Sequence, residues 1–314
     1  MGRCLLFQTM KMIPLLFASL MVAIPTMYAD EANSSKATDN NAAADKSEWK
    51  LIWSDEFNKS GKVDSKKWNI EKEFVRNENA QQLYTDNSKN IKQAGGMLVL
   101  QALAEKRKNK NFDSKSNNWR FSREFADYTS GSVNSQGKFS FMYGKVEIKA
   151  KLEHGKGVWP ALWLIGDNIN KVSWPACGEI DILEYISQDK QKVHGTFHWG
   201  KSSSLGGGHT KNFVVPDLLD KFHTYGMIWT PEKLELTFDG KVFHTLDLSK
   251  AQDGDYNAFR QPFHFIMNLA IGGWSEKADP KDYPRKFLID YIRVYQQKGD
   301  PNAEYWIDGK KKKP

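Results

Sequence analysis

The sequence holds only two cysteines, Cys4 and Cys177. Cys4 falls in an amino-terminal leader, so Cys177 stands alone afterwards and no intrachain disulfide can staple the fold. No His–Cys signature accompanies Cys177, which argues against a catalytic thiol; beside Gly178 it reads as a packed small residue. Long helical periodicity is absent, which excludes a bundle. Beyond residues 12–29 no apolar run is long enough to span a bilayer. Charge of one sign is in modest excess: 45 Lys and Arg against 38 Asp and Glu leave +7. Part of that excess is the run Lys310–Lys313, which reads as a solvated tail, so nucleic-acid binding is not expected. A basic surface does keep anionic polysaccharides in play.

Arg3 and Lys11 precede the apolar stretch Met12 to Ala29, which ends Thr26-Met27-Tyr28-Ala29 before Asp30-Glu31. This reads as a secretion signal over 1–29, giving a secreted or periplasmic protein. An uncleaved anchor is the alternative, weakened by Pro14 and Pro25. Residues 30–48, rich in Asn, Ser, Ala and Asp, read as a disordered tether. From 49 to 297 many short runs of Val, Ile, Phe, Tyr and Trp are separated by Gly, Asn, Asp and Pro. That pattern predicts one all-β domain of mainly antiparallel strands, followed by a basic tail over 298–314.

Three acids interrupt the apolar run Gly178-Glu179-Ile180-Asp181-Ile182-Leu183-Glu184-Tyr185. Burying an unpaired carboxylate costs several kcal/mol or forces it to take a proton. Strand alternation puts Glu179 and Asp181 on one face and Ile180 and Ile182 in the core. Glu184 has the wrong parity for the acidic face. One extra residue in a β-bulge near Leu183 brings it back. Two carboxyls flanking a glycosidic bond suffice to hydrolyse it, and Asp181 between them can hold Glu179 and help set the glutamates' pKa values apart. Four strand steps separate the glutamate backbones by roughly 13 Å. Retaining chemistry wants about 5–5.5 Å between carboxyls and inverting about 6.5–9.5 Å, so the spacing alone permits both. A solvated acidic edge strand and a hard-cation site are the rival readings. Trp159, Trp163, Trp174 and Trp199 bracket the acidic strand, and sugar rings stack their C–H faces on such rings.

These residues resemble family 16 of the glycoside hydrolases, which includes laminarinases and mixed-linkage β-glucanases. The resemblance runs through Trp49–Asn58, Phe74–Thr85, Tyr128–Gly131, Tyr143–Lys151, Phe265–Trp274 and Leu288–Tyr295. It implies a two-sheet antiparallel β-sandwich, a concanavalin A-like jelly roll, with a concave cleft. It further implies a retaining endo-β-1,3- or β-1,3(4)-glucanase, with Glu179 as nucleophile, Glu184 as acid/base and Asp181 assisting. Leu183 as the extra residue is similar to the bulged, laminarinase branch, and the insertion from Glu105 to Asp127 resembles a subgroup that includes bacterial mixed-linkage and β-1,3-glucanases. Arg76, Asn77, Trp159, Trp163, Trp174, His198 and Trp274 fall at cleft positions. Glu56, the Gly96 carbonyl and Asp290 match a calcium site remote from the chemistry, where the ion is structural; catalysis needs no cofactor. A β-glucan is the expected partner of a monomer with no stable membrane association. The alternatives are a hydrolase or transglycosylase acting on another polysaccharide such as a galactan, and a glucan-binding protein without turnover.

Overall fold

The strand Gly144–Leu152 alternates without a break. Val146, Ile148, Ala150 and Leu152 enter the core, while Lys145, Glu147, Lys149 and Lys151 face outward. A sheet with one wet face produces this period of two. Phe263–Ile271 differs: all nine residues are buried. Phe263, Phe265, Met267, Leu269 and Ile271 join the main core, and the intervening His264, Ile266 and Asn268 line a cleft on the opposite face. The first strand belongs to a convex outer sheet and the second to a concave inner one.

This computed structural model describes residues 49–76, 80–200 and 207–314. The segments expected as leader and tether, and Asn77, lie outside the described residues. The outer sheet runs Lys241–Asp247, Lys233–Phe238, His223–Trp229, Gly144–Leu152, Arg285–Gln297, Met97–Ala102, Ile91–Ala94, with Trp49–Asp55 beside Arg285–Gln297. The inner sheet runs Gly207–Val214, Lys192–Trp199, Glu179–Glu184, Val158–Gly166, Phe263–Ile271, Phe139–Met142, Glu304–Ile307, Lys310–Lys312. Pairing along both orders is antiparallel. This is the expected sandwich. Aromatic rings join its layers: Trp53 of the outer sheet stacks on Phe139 of the inner at 4.3 Å between centroids. Burying an aliphatic or Phe side chain of this kind contributes roughly 1.5–3 kcal/mol. No helix among the described residues is long and apolar enough to cross a membrane.

The carboxy-terminal segment is ordered where a solvated tail was expected. Glu304–Ile307 pairs with Phe139–Met142, and Lys310–Lys312 forms the exposed edge strand beyond it. Lysines on an edge oppose pairing with another chain.

Candidate active site

The site is set by a glycine and a bulge. Gly178 precedes the acidic strand with φ of +77°, and a Cβ there would lie 2.8 Å from Phe263 Cζ. Only glycine fits that approach. Along Glu179–Glu184 the partner strand Val158–Gly166 pairs Trp163 with Asp181 but Leu162 with Leu183, leaving Ile182 as the extra residue. On the other side Asp181 pairs with Thr196 and Glu184 with His194, so Gly195 alone opposes Ile182 and Leu183. A Cβ on Gly195 would sit 2.5 Å from Leu236 Cδ1. Ile180, Ile182 and Leu183 are all in the main core. Glu179, Asp181 and Glu184 line one cleft of about 890 Å³. The bulge that the acid spacing required is present.

Each glutamate is held by an indole. Trp174 donates its Nε1–H to Glu179 Oε2 at 2.7 Å, and Trp159 donates to Glu184 Oε1 at 3.0 Å. Asp181 is 3% exposed, with His198 Nε2 at 3.5 Å from its Oδ2. Burial holds the His198 pKa below its ordinary value, so the ring is neutral at neutral pH and adds no counter-charge. Glu179, Asp181 and His198 bring ligand atoms within 4.8 Å of one another, yet acids in a cleft commonly gather without an ion. Trp274 meets Trp159 edge-on at 6.0 Å and His194 at 5.0 Å. Trp163 is mostly buried and donates to Asn268 Oδ1 at 2.7 Å, whose amide donates to Tyr84 Oη at 3.1 Å.

Arg76 reaches the same cleft, with its Cζ 5.3 Å from the Trp163 ring centre. It pairs with Glu71 at 2.7 Å, and Ser132 and Asn134 also donate to Glu71. Burial raises the Glu71 pKa, but the Arg76 charge and these donors outweigh it and hold the carboxyl below the usual range. Cys177 is fully buried, and burial with the nearby Glu179 charge pushes its thiol up to about 12, leaving it inert.

Sequence reasoning missed part of the cleft. Glu71, Asn134, Asn268, Trp119 and Arg120 all line it. Asn268 carried a signal, a lone amide in a nine-residue apolar run. Trp119 and Arg120 did not, because they arrive on a polar insertion over 105–127. Trp199, read as bracketing the acids, packs against Phe259 at 6.0 Å on the core side.

Of the expected calcium ligands, Glu56 follows Trp49–Asp55, Gly96 precedes Met97–Ala102, and Asp290 lies within Arg285–Gln297, the strand with which both pair. Trp49–Asp55 pairs with Arg285–Gln297 only as far as Ile292, and Met97–Ala102 only from Ile289, leaving Asp290 between them beside the turn that holds Gly96. Two carboxylates and a carbonyl suit a hard cation. Each carboxylate is already engaged, however. Arg293 donates to both Glu56 oxygens at 3.0 and 2.7 Å, and Lys149 lies 2.8 Å from Asp290. An ion here would have to displace both cations.

A two-sheet β-sandwich with a row of carboxyls and exposed indoles in its concave face defines a glycosidase of the jelly-roll class. Residues 77–293 match the profile of glycosyl hydrolases family 16, and the chain belongs to that family. It is 33% identical over 260 residues to a beta-glucanase of Rhodothermus marinus, covering 79% of this chain and 85% of that one. It is 31% identical over 275 residues to a keratan-sulfate endo-1,4-beta-galactosidase of Sphingobacterium multivorum, covering 87% of this chain and 61% of that one. A structure from work on gut-microbial endo-acting O-glycanases that initiate mucin breakdown superposes with TM-score 0.76 at 42% identity, covering 80% of this chain and 91% of that one.

Proposed function

We propose that the chain is an endo-acting β-glycosidase working by retaining double displacement. Glu179 attacks the anomeric carbon while Glu184 protonates the leaving oxygen. Glu184 then takes a proton from water, which attacks the glycosyl–enzyme ester and releases Glu179. Asp181 and the Trp174 indole hold Glu179 at its attacking angle. The observation that carries this reading is the Ile182 bulge, which turns Glu184 to the wall that bears Glu179 and Asp181. Endo action is supported by the half-exposed indoles at the two ends of the acidic strand, Trp174 at 45% and Trp274 at 42%. A glycan stacking on both must pass the carboxyls without ending there.

The first substrate reading is a β-1,3-linked or mixed β-1,3/1,4-linked glucan, supported by the beta-glucanase relative and by the acid spacing. A second reading, a β-galactoside chain of the keratan or mucin kind, has specific support in the 42% identity to the O-glycanase structure and in the galactosidase relative. Secretion and a structural calcium complete the proposal.

Product analysis on laminarin, barley glucan, desulfated keratan and mucin O-glycans in parallel separates the two readings. Glu179→Gln should lose at least about 10³-fold in kcat while still binding oligosaccharide, because it removes chemistry and keeps stacking. Near-normal turnover in that variant overturns the nucleophile assignment.

A further inference from the structure

The 105–127 insertion folds back as an arm against the cleft. Asn109, 1% exposed, donates its side-chain amide to the carbonyls of Arg120 at 2.7 Å and Arg123 at 2.9 Å. Arg123 in turn donates to the Ala80 carbonyl at 2.8 Å and lies 3.8 Å from the centre of the Phe74 ring. The arm is therefore tied at its base and clamped to the segment that carries Arg76. Its inner side delivers Trp119 and Arg120 into the same cleft as Glu179 and Glu184.

Trp119 and Arg120 form a unit. The Arg120 guanidinium lies 4.4 Å from the Trp119 ring centre, and its Nη2 donates to the Val75 carbonyl at 2.8 Å. Among the described residues no carboxylate comes within ion-pair distance of Arg120. That sets it apart from Arg76, which Glu71 neutralises in the same cleft. Stacking on an indole fixes the plane of a guanidinium, which leaves its in-plane N–H groups aimed at an oxyanion. The rest of the arm adds to the field: 105–127 holds seven Lys and Arg against four Asp and Glu. A second concavity on it is lined by Arg107, Lys108 and Lys110.

We infer that Arg120, seated on the Trp119 ring and the Val75 carbonyl, forms a subsite for a sugar bearing an anionic group, with the anion on its guanidinium. The inference deepens the proposed function and rests on its second substrate reading, because the galactosidase relative is named for a sulfated chain. The anion is either a sulfate ester or a carboxylate, and both suit a planar cation.

The test compares kcat/KM on three matched galactoside oligosaccharides: sulfated, desulfated, and capped with a carboxylate sugar. The wild-type chain should favour an anionic form over the desulfated one by about tenfold, or about 1.4 kcal/mol. Which anionic form is favoured identifies the source. Arg120→Ala should collapse that ratio towards one, Arg120→Lys should keep part of it, and added salt should erode it. An equal ratio in wild type and Arg120→Ala overturns the inference. Products with no anion preference do the same while leaving the glycosidase reading intact. If no oligosaccharide is cut, that reading fails, and calorimetry on the Glu179→Gln protein still decides the subsite. Tighter binding of the anionic form, lost in Arg120→Ala, supports it; equal binding sinks it.

Discussion

The Trp174 indole donates its N–H to Glu179 at 2.7 Å while nearly half of the residue remains exposed. One side chain thus orients the proposed nucleophile and offers a platform to sugar. The two tasks separate by substitution. Trp174→Phe keeps an aromatic face and loses the donor, so kcat should fall about tenfold with KM little changed. Trp174→Ala should lower kcat and also raise KM. Steady-state kinetics of the two variants checks this; a KM effect without a kcat effect in Trp174→Phe would leave the hydrogen bond without a catalytic part.

Asn109 does not line the cleft yet fixes the arm. Asn109→Ala removes three part-buried hydrogen bonds, two from its amide and one accepted from the Asn111 N–H, and should cost about 1–3 kcal/mol. Loosening Trp119 and Arg120 should raise KM several-fold and spare kcat. Thermal melts read with kinetics check it, and an unchanged KM would mean the arm stays seated without its amide.

Burial lowers the pKa of His154, His194, His198 and His244. A histidine whose pKa is depressed by folding binds fewer protons folded than unfolded once pH drops below about 6.5. Stability should therefore be full above that pH and fall steadily below it. Glu71, held below the usual carboxylate range, should extend the loss into stronger acid. Melting temperatures from pH 8 to pH 4 test the sign; a flat or rising curve on acidification would contradict it.

Calcium tests the interval around Asp290. If the ion displaces Arg293 from Glu56 and Lys149 from Asp290, added calcium should raise the melting temperature by linkage and chelator should lower it. Activity should survive chelation, since the interval is on the outer sheet. A melting curve indifferent to both would mean that the two cations already do the neutralising.

How much of this was legible depends on the kind of signal. The acidic row was, because carboxylates inside an apolar alternation have few explanations other than use. The bulge followed from parity, though the unpaired residue is Ile182 and Leu183 keeps a partner in Leu162. Parity also held the answer for Trp199: it follows His198, which faces the cleft, so it had to face the core. The arm was not legible, since nothing local in a polar, basic insertion says where a lone Trp–Arg pair will dock. Nor was the ordered tail. A lysine run is exposed both in solvent and on an edge strand, and composition cannot separate the two. The competition for Glu56 was hidden as well, because Arg293 is distant in sequence and meets Glu56 only once Trp49–Asp55 pairs with Arg285–Gln297.

The bulge has a consequence for how this strand can change length. Deleting Ile182 or Leu183 restores strict alternation, with the three acids at every second position and all still on the cleft wall. The register toward His194 becomes regular, and the lost side chain comes from the core side alone. Shortening the catalytic strand by one residue is therefore compatible with keeping its chemistry, so strand length and acid alignment are separable here.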